Sequence, residues 1–276
     1  LSGNINYCVR NNKILFKDRF VKYPFENGLS ALDKKDAYEC LLGYLRAPER
    51  RPKNFQEWIY GNFGKGIAEK YLLPYNRKIW KYPLDKMGIE WVERVPRPPL
   101  EDVVKSALGM ETEGYLHQLY FNYPLRGGIE GLIKAFIREE QSVISRFAVA
   151  SIKKKGNKWI VCDGKKERQY DKLVITMPIN EAMKCLTKVP LKVLKAASGL
   201  RHNSVRIVLL GINNESLLDK SAVYIPSAAS LCHRICYMGY FSRNNVPKGK
   251  SSLIAEISTY KGHKLSSLIP ADYIQN

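Results

Sequence analysis

The sequence predicts a mixed α+β fold, in which a helical subdomain accompanies a largely antiparallel sheet. The 276 residues are 45% hydrophobic and 26% charged, a composition that allows a sizeable core. Helical periodicity is concentrated in residues 31–118, whereas alternating, β-branched segments open the chain and dominate residues 204–257. Because helices and strands are segregated along the chain, the pattern favours α+β over a parallel sheet with alternating helices.

The first segment reads as three short strands, at residues 5–10, 13–16 and 20–23. Polar turns separate them at Asn11-Asn12 and at Asp18, and Pro24 ends the last. These strands are assigned to residues 1–30.

A helical region follows, with N-cap candidates at Asp33 and Asn54. Asn54 is followed three residues later by Glu57, as in a capping box. The helix that starts there contains GNFGKG, whose GxxGxG spacing inside helical sequence predicts a tight helix junction and not a phosphate loop. We expect that helix to end in a turn that carries Pro74, Tyr75, Asn76 and Trp80, and two further helices over residues 86–94 and 101–108.

The pattern changes at Gly127, where a helix over residues 128–138 is predicted. A β-meander over residues 143–153, 158–162 and 170–176 and a helix over 180–186 follow. Further strands are expected over residues 205–211, 221–225, 231–241 and 252–259. The proposed division is therefore 1–30, 31–118, 119–180 and 181–276.

The chain carries 45 Lys and Arg against 26 Asp and Glu, so its formal charge of +19 favours small anionic partners. Nucleic acid is not favoured, because the one lysine run, residues 153–155, lies at a hairpin turn. The six cysteines lack disulfide or CxxC spacing, which indicates a reducing cytoplasm. No apolar run is long enough to span a bilayer, and no signal peptide is recognisable. The sequence does not indicate an oligomeric state.

No metal site is predicted, although Cys232, His233 and Cys236 are close in sequence. On a strand, neighbouring side chains point to opposite faces, so His233 is separated from both cysteines. Arg234 shares a weakly polar face with the two cysteines and needs either a carboxylate or a bound anion. The residues alone leave both options open.

Two other groups of residues could contact a ligand. Gly127-Gly128 opens a helix, which lets the backbone approach a flat or anionic ligand, although it is equally compatible with a plain helix entry. Aromatic and amide side chains suited to stacking and hydrogen bonding with a base occur at Tyr23, Phe25, Tyr75, Asn76 and Trp80.

Several of these segments, in the same order, resemble the eukaryotic-type UDP-galactopyranose mutases. Residues 23–27 (YPFEN) are similar to that family's YPFQN, residues 74–80 (PYNRKIW) to its PYNxKxW, and Arg94 to an arginine that follows a tryptophan and a glutamate. Residues 123–128 are similar to FPxRGG and 173–178 to a strand that ends in TMP. Residues 224–234 are similar to a WLYFP segment with its following arginine.

The resemblance implies an FAD-dependent isomerase that converts UDP-galactopyranose to UDP-galactofuranose, with N5 of the reduced flavin as nucleophile. It implies that the uridine is bound by Tyr23, Phe25, Glu26, Tyr75, Asn76 and Trp80. The diphosphate would lie against Arg94, Tyr224 and Arg234. FAD would lie near Gly127, Gly128, Val143 and Pro178, in part of a Rossmann-like FAD-binding domain.

The sequence departs from that family at three places. Glu26 replaces a glutamine, and a carboxylate lacks the amide N–H that a carbonyl accepts. Ala222 stands where the mutases have a tryptophan. The strand and GxGxxG segment that bind the FAD pyrophosphate are missing, so we expect a fragment that does not bind FAD or catalyse by itself. The alternatives are a protoporphyrinogen oxidase-like or amine oxidase-like FAD oxidoreductase and a non-catalytic, sugar-nucleotide-binding scaffold.

Overall fold

A computed structural model describes residues 3–48, 51–95, 97–112, 119–139, 143–215 and 219–260. The chain forms two compact units: one comprises Leu1–Ala135 with Asn203–Asn276, and the other comprises Phe136–His202. The mixed α+β class predicted from the sequence is confirmed. Among the described residues, no helix is both long and apolar enough to cross a membrane.

The three opening strands are confirmed as β1 (Ile5–Val9), β2 (Asn12–Phe16) and β3 (Arg19–Lys22). Lys17 and Asp18 join β2 to β3, and both have positive φ (47° and 62°), as a tight hairpin turn requires. Strand β1 does not join this hairpin. It pairs instead with β4 (Tyr120–Pro124), in a separate two-stranded sheet.

Both predicted helix caps are present. Helix α1 (Lys34–Leu45) begins where the Asp33 carboxylate accepts a hydrogen bond from the Asp36 backbone N–H at 2.8 Å. Helix α2 (Phe55–Ile67) begins where Oδ1 of Asn54 accepts from the Glu57 backbone N–H at 2.9 Å. The Glu57 carboxylate, however, accepts from the Lys53 N–H and not from the Asn54 N–H, so the capping box is displaced by one residue.

The predicted tight helix junction lies where α2 crosses α1, and three glycines bring the two backbones together. Gly64 has φ +68°, and a Cβ built on it would lie 1.9 Å from the Gly43 carbonyl oxygen. A Cβ on Gly66 would lie 2.3 Å from the Glu39 carbonyl oxygen. Only glycine combines this conformation with this approach, so the glycines set the distance between the helices.

The turn predicted around Pro74 is wrong. A single π-helical turn, Ala68–Leu72, leads directly into α3 (Leu73–Trp80). Pro74 lies in the first turn of α3, where a missing N–H costs little, and the π turn absorbs the change between the two helices.

Helix α4 (Leu100–Ala107) is confirmed, but the helix predicted over residues 86–94 is wrong. Only two 3₁₀ turns form there, Leu84–Lys86 and Val92–Arg94. Gly88 lies between them and disfavours a continuous helix. Helix α5 (Gly128–Glu139) agrees with its prediction.

The second unit contains the predicted meander, made of β5 (Ser151–Lys155), β6 (Lys158–Cys162) and β7 (Glu167–Tyr170). Its strands are shorter than expected, because β5 begins at Ser151 and not at residue 143. The apolar residues 173–176 form no strand, because Tyr170 already pairs with Trp159 near the start of β6, and the chain beyond it has no partner on that strand.

Two helices complete the second unit. Helix α6 (Ile179–Cys185) follows Pro178 as predicted, whereas α7 (Leu191–Ser198) has no counterpart in the sequence prediction.

The last four strands complete a six-stranded sheet in the first unit. They are β8 (Ser204–Ile212), β9 (Ala222–Tyr224), β10 (Arg234–Tyr237) and β11 (Ser251–Thr259), and the strand order is β3-β2-β9-β10-β11-β8. All pairings are antiparallel except β2 with β9.

The strand predicted over residues 231–241 is longer than the strand in the structure. Strand β10 ends at Tyr237, and the short helix α8 (Met238–Phe241) follows it. The neighbouring strand β9 begins at Ala222, opposite Cys236, and therefore offers no partner beyond that point.

The main core joins one face of this sheet to α1 and α2. Its fully buried side chains include Ile14 from β2, Val21 from β3 and Phe63 and Ile67 from α2. Burial of these large apolar side chains supplies the main stabilisation of the first unit.

We predict that Gly64→Ala lowers the free energy of unfolding by about 2–4 kcal/mol, because the methyl group adds backbone strain and overlaps the Gly43 carbonyl. Gly61→Ala is the matched control in the same helix, because its Cβ would meet its nearest neighbour, the Pro48 oxygen, at 3.5 Å. The control should raise stability by about 0.5–1 kcal/mol. Equal stability of the two variants in urea unfolding would contradict this account of the junction.

Candidate functional site

A buried lysine joins α3 to the sheet. The Lys78 side chain is 8% exposed, and its Nζ donates to the backbone oxygens of Ile225 at 2.9 Å and Ser227 at 2.7 Å. Burial lowers the pKa of Lys78 to about 8. Sequence reasoning missed this role, although Lys78 follows the buried Tyr75 by three residues and therefore shares its side of the helix.

Four of the predicted site residues lie in one continuous aromatic cluster. Tyr23 stacks on Tyr224 with ring centroids 4.7 Å apart, and Tyr75 meets Tyr224 edge-on at 5.5 Å. Tyr75 also stacks on Tyr71 at 5.4 Å, and Tyr71 stacks on Phe25 at 5.0 Å. Tyr71, which the sequence analysis did not select, connects the two halves of this cluster.

Hydrogen bonds orient the Tyr224 hydroxyl, and burial sets the protonation state of Tyr23 and Tyr75. The Tyr224 hydroxyl accepts from Nδ2 of Asn12 at 3.3 Å, and the Ser221 hydroxyl donates to Oδ1 of the same amide at 2.7 Å. Burial, followed by the neighbouring Tyr224, raises the pKa of both Tyr23 and Tyr75. Both phenols therefore stay protonated at neutral pH and can donate hydrogen bonds.

Arg234 lies beside this cluster, because it pairs with Tyr224 in the register of β9 and β10. Its Nε donates to Oε2 of Glu256 at 3.0 Å and its Nη2 donates to Oε1 at 2.7 Å. His233 adds a third contact to the same carboxylate, with Nε2 3.5 Å from Oε2. The structure thus shows the ion pair that was one of the two options for Arg234.

Glu256 orients the guanidinium without covering all of it. Burial opposes ionisation of this carboxyl, but hydrogen bonds from His233 and Arg234 outweigh burial and lower its pKa to about 2. The Arg234 side chain remains 38% exposed. Within the residues that the structure describes, its Nη1 meets no hydrogen-bond partner, so it can donate to a ligand.

Asn76 and Trp80 lie one helical turn apart on α3. Nδ2 of Asn76 donates to the Leu72 carbonyl at 2.8 Å, and its Oδ1 accepts from Nε1 of Trp80 at 3.1 Å. The Trp80 ring contacts Trp91, with centroids 5.2 Å apart. The amide is therefore held in one orientation, with one N–H remaining for a ligand.

Phe25 and Glu26 are the most deeply buried of the candidates whose side chains the structure describes. They lie in a 3₁₀ turn, Phe25–Asn27, where they are 0% and 3% exposed. The Phe25 ring is held between Phe16 and Tyr71. Arg94 ends the 3₁₀ turn Val92–Arg94, and its side chain lies outside the described part of the chain.

The two glycines before α5 have a backbone conformation that would let a ligand approach the main chain closely. Gly127 and Gly128 have φ values of +79° and +56°, and a Cβ on Gly128 would lie 3.4 Å from the Tyr123 hydroxyl. The absence of side chains leaves this backbone accessible, which fits the edge of a flat ring such as a flavin. Val143 and Pro178 belong to the second unit, where Val143 is exposed and Pro178 precedes α6.

Comparison with known proteins adds to this geometry. The family described as flavin-containing amine oxidoreductase matches residues 15–275. A crystal structure of reduced UDP-galactopyranose mutase matches 99% of this chain and 61% of its own length, with 26% identity and a TM-score of 0.84.

Two further solved structures share the fold. A protein from Exiguobacterium sp. 255-15, described as a protoporphyrinogen oxidase, matches 100% of this chain and 64% of its own length, with 14% identity and a TM-score of 0.67. A putrescine oxidase variant matches 98% and 62%, with 12% identity and a TM-score of 0.55. The chain thus spans less than two thirds of each of these proteins. The match over nearly the whole sequence shows that the chain belongs to the flavin-containing amine oxidoreductase family.

Proposed function

We propose that the protein is an FAD-dependent sugar-nucleotide mutase that converts UDP-galactopyranose to UDP-galactofuranose. The observation that carries the proposal is the position of Arg234, which is partly exposed beside the aromatic cluster of Tyr23, Tyr224 and Tyr75. A guanidinium next to aromatic rings and phenolic donors suits a ligand that has both a diphosphate and a flat base. The mutase likeness, at 26% identity and a TM-score of 0.84, supports this choice.

We propose that Arg234 binds the diphosphate through Nη1, while Glu256 holds the other side of the guanidinium fork. A guanidinium that is already oriented loses less side-chain entropy when a phosphate binds. Tyr224 lies beside Arg234 across the strand pair, where its hydroxyl can add a hydrogen bond. Arg94 is proposed as a second diphosphate contact on the strength of its sequence motif alone.

The uridine is proposed to lie against Tyr23, Tyr75, Asn76 and Trp80. Asn76 is suited to this role because Trp80 and Leu72 fix the orientation of its amide. Phe25 and Glu26 are so buried that we assign them an indirect role. The Phe25 ring supports Tyr75 through the Tyr71 stack, and the charge of Glu26 adds to the raised pKa of Tyr23.

FAD is the proposed cofactor, and Gly127 and Gly128 would let the flavin ring approach the backbone before α5. Val143 and Pro178 are proposed to belong to the cofactor side, in the segment 119–180. When bound and reduced, flavin supplies a nucleophilic nitrogen for an isomerisation without net oxidation. The residues of this chain would contribute binding and orientation of the UDP-sugar.

Residues 1–30 and 181–276 are proposed to contribute a substrate-side sheet, and residues 31–118 a helical subdomain. A cytoplasmic location also remains a proposal, based on the cysteine spacing. It is compatible with the six free thiols in the structure.

An FAD oxidoreductase of the amine oxidase or protoporphyrinogen oxidase type is the second candidate. This candidate is supported by the fold that the chain shares with the Exiguobacterium protein and with putrescine oxidase. The charge favours the mutase, because a protonated amine substrate would meet Arg234 and a chain of net charge +19.

We predict that the full-length protein, loaded with FAD and reduced by dithionite, converts UDP-galactopyranose to UDP-galactofuranose, which chromatography separates. The same preparation with oxidised FAD is the control and should give no product. Oxidation of an amine or a porphyrinogen without furanose formation would contradict the proposal in favour of the oxidoreductase. Binding of UDP without any turnover would indicate a non-catalytic sugar-nucleotide-binding protein.

We further predict that Arg234→Gln weakens UDP binding to the full-length protein by about 1.5–3 kcal/mol, the usual contribution of a hydrogen bond to a charged group. Isothermal titration calorimetry measures the change. Arg243→Gln is the matched control, since Arg243 is an exposed arginine that also faces a carboxylate, Glu215, at 3.6 Å. Unchanged UDP affinity in a folded Arg234→Gln protein would exclude the phosphate role.

A further inference from the structure

A second cationic site lies along α3. A cleft of about 660 Å³ opens there between α3, the end of β2 and the loop that follows β9. Pro74, Arg77 and Lys78 line the cleft from α3, and Lys81, the residue that follows the end of the helix, lines it as well. Asn76 and Trp80 do not line the cleft.

The cleft is strongly positive. Five cationic side chains line it, and none of its lining residues is acidic: the cations are Lys17, Lys70, Arg77, Lys78 and Lys81. A local excess of one charge in a concave site raises the concentration of the opposite ion.

Carboxylates behind the cleft neutralise two of these cations. Lys17 pairs with Asp36 at 2.5 Å, and Lys70 pairs with Asp36 at 2.8 Å and with Glu39 at 2.7 Å. Hydrogen bonds from Lys17 and Lys70 outweigh burial and lower the pKa of Asp36 to about 2. This part of the lining is therefore internally balanced.

Arg77, Lys78 and Lys81 have no such balance. Lys78 donates only to the carbonyls of Ile225 and Ser227, which carry no formal charge. Arg77 reaches the neutral amide of Gln56 at 3.5 Å. Within the described part of the chain, none of the three forms an ion pair, and burial lowers the pKa of both lysines.

The rest of the lining selects among anions. Leu15, Phe16 and Leu231 provide apolar walls, and Ser227 and Ser230 provide hydroxyl groups. The Ser227 Oγ accepts from the Ala229 N–H at 3.2 Å, which leaves its own proton available to a ligand oxygen. Phosphate accepts several such hydrogen bonds at once, and an apolar substituent would fill the space beside Phe16.

We propose that this cleft binds a phosphate monoester that carries an apolar group, with Arg77, Lys78 and Lys81 around the phosphate. The site is separate from the one proposed for UDP, because none of the residues assigned to UDP lines the cleft. It does not depend on the mutase proposal.

Phenyl phosphate is the probe, titrated by calorimetry into the full-length protein, and inorganic phosphate is the comparison that lacks the apolar group. We expect phenyl phosphate to bind more tightly than inorganic phosphate. Arg77→Gln and Lys81→Gln should each weaken its binding about tenfold or more, the effect of losing one charge-assisted hydrogen bond. Neither side chain is fully buried, so thermal unfolding should show intact folds. Lys78 is left unchanged because its bonds hold α3 against the loop that follows β9.

Two controls separate this cleft from other sources of anion binding. Lys248→Gln removes one charge from an exposed lysine elsewhere and should leave phenyl phosphate binding unchanged. Arg234→Gln should also leave it unchanged, whereas Lys81→Gln should leave UDP binding unchanged. The proposal is overturned if phenyl phosphate does not bind, if Lys248→Gln weakens binding as much as Lys81→Gln, or if Arg234→Gln abolishes it.

Discussion

The two hydrogen bonds of the Lys78 ammonium group to the Ile225 and Ser227 carbonyls join the helical part of the first unit to its sheet. A buried ammonium without hydrogen bonds would be very costly, so α3 is held at one position against the segment that follows β9. This position brings Tyr75 against Tyr224 on one side of the helix. The same position also closes the cationic cleft against the loop that follows β9. Both proposed ligand sites therefore depend on one contact.

The distribution of carboxylates decides which cations remain for ligands. Asp36 and Glu256 each accept hydrogen bonds from two cationic or ionisable side chains, and both keep a low pKa because those bonds outweigh burial. Asp36 neutralises its lysines, which can then serve the structure. Glu256 fixes Arg234 but leaves part of the guanidinium exposed. A chain of net charge +19 thus distinguishes structural from ligand-binding cations by where its few buried carboxylates lie.

Local signals predicted much of the fold. The Asp33 and Asn54 caps mark the starts of α1 and α2 correctly, because capping needs only neighbouring residues. The π turn before Pro74 was missed, because its cause is the tertiary packing of the helices and not local propensity. Likewise, no short-range pattern predicts that β2 pairs in parallel with β9, about two hundred residues later. For the site, strand parity identified Arg234 as a charge in need of a partner, but it could not choose Glu256, which lies on another strand.

A crystal structure of the full-length protein with bound UDP tests the central assignment most directly. The account predicts that a diphosphate oxygen lies within hydrogen-bond distance of Nη1 of Arg234, with the base near Tyr75 and Asn76. The ion pair with Glu256 should persist, because it occupies the other two nitrogens of the guanidinium. UDP bound in the cleft of Arg77 and Lys81, or bound elsewhere without contact to Arg234, would contradict the account.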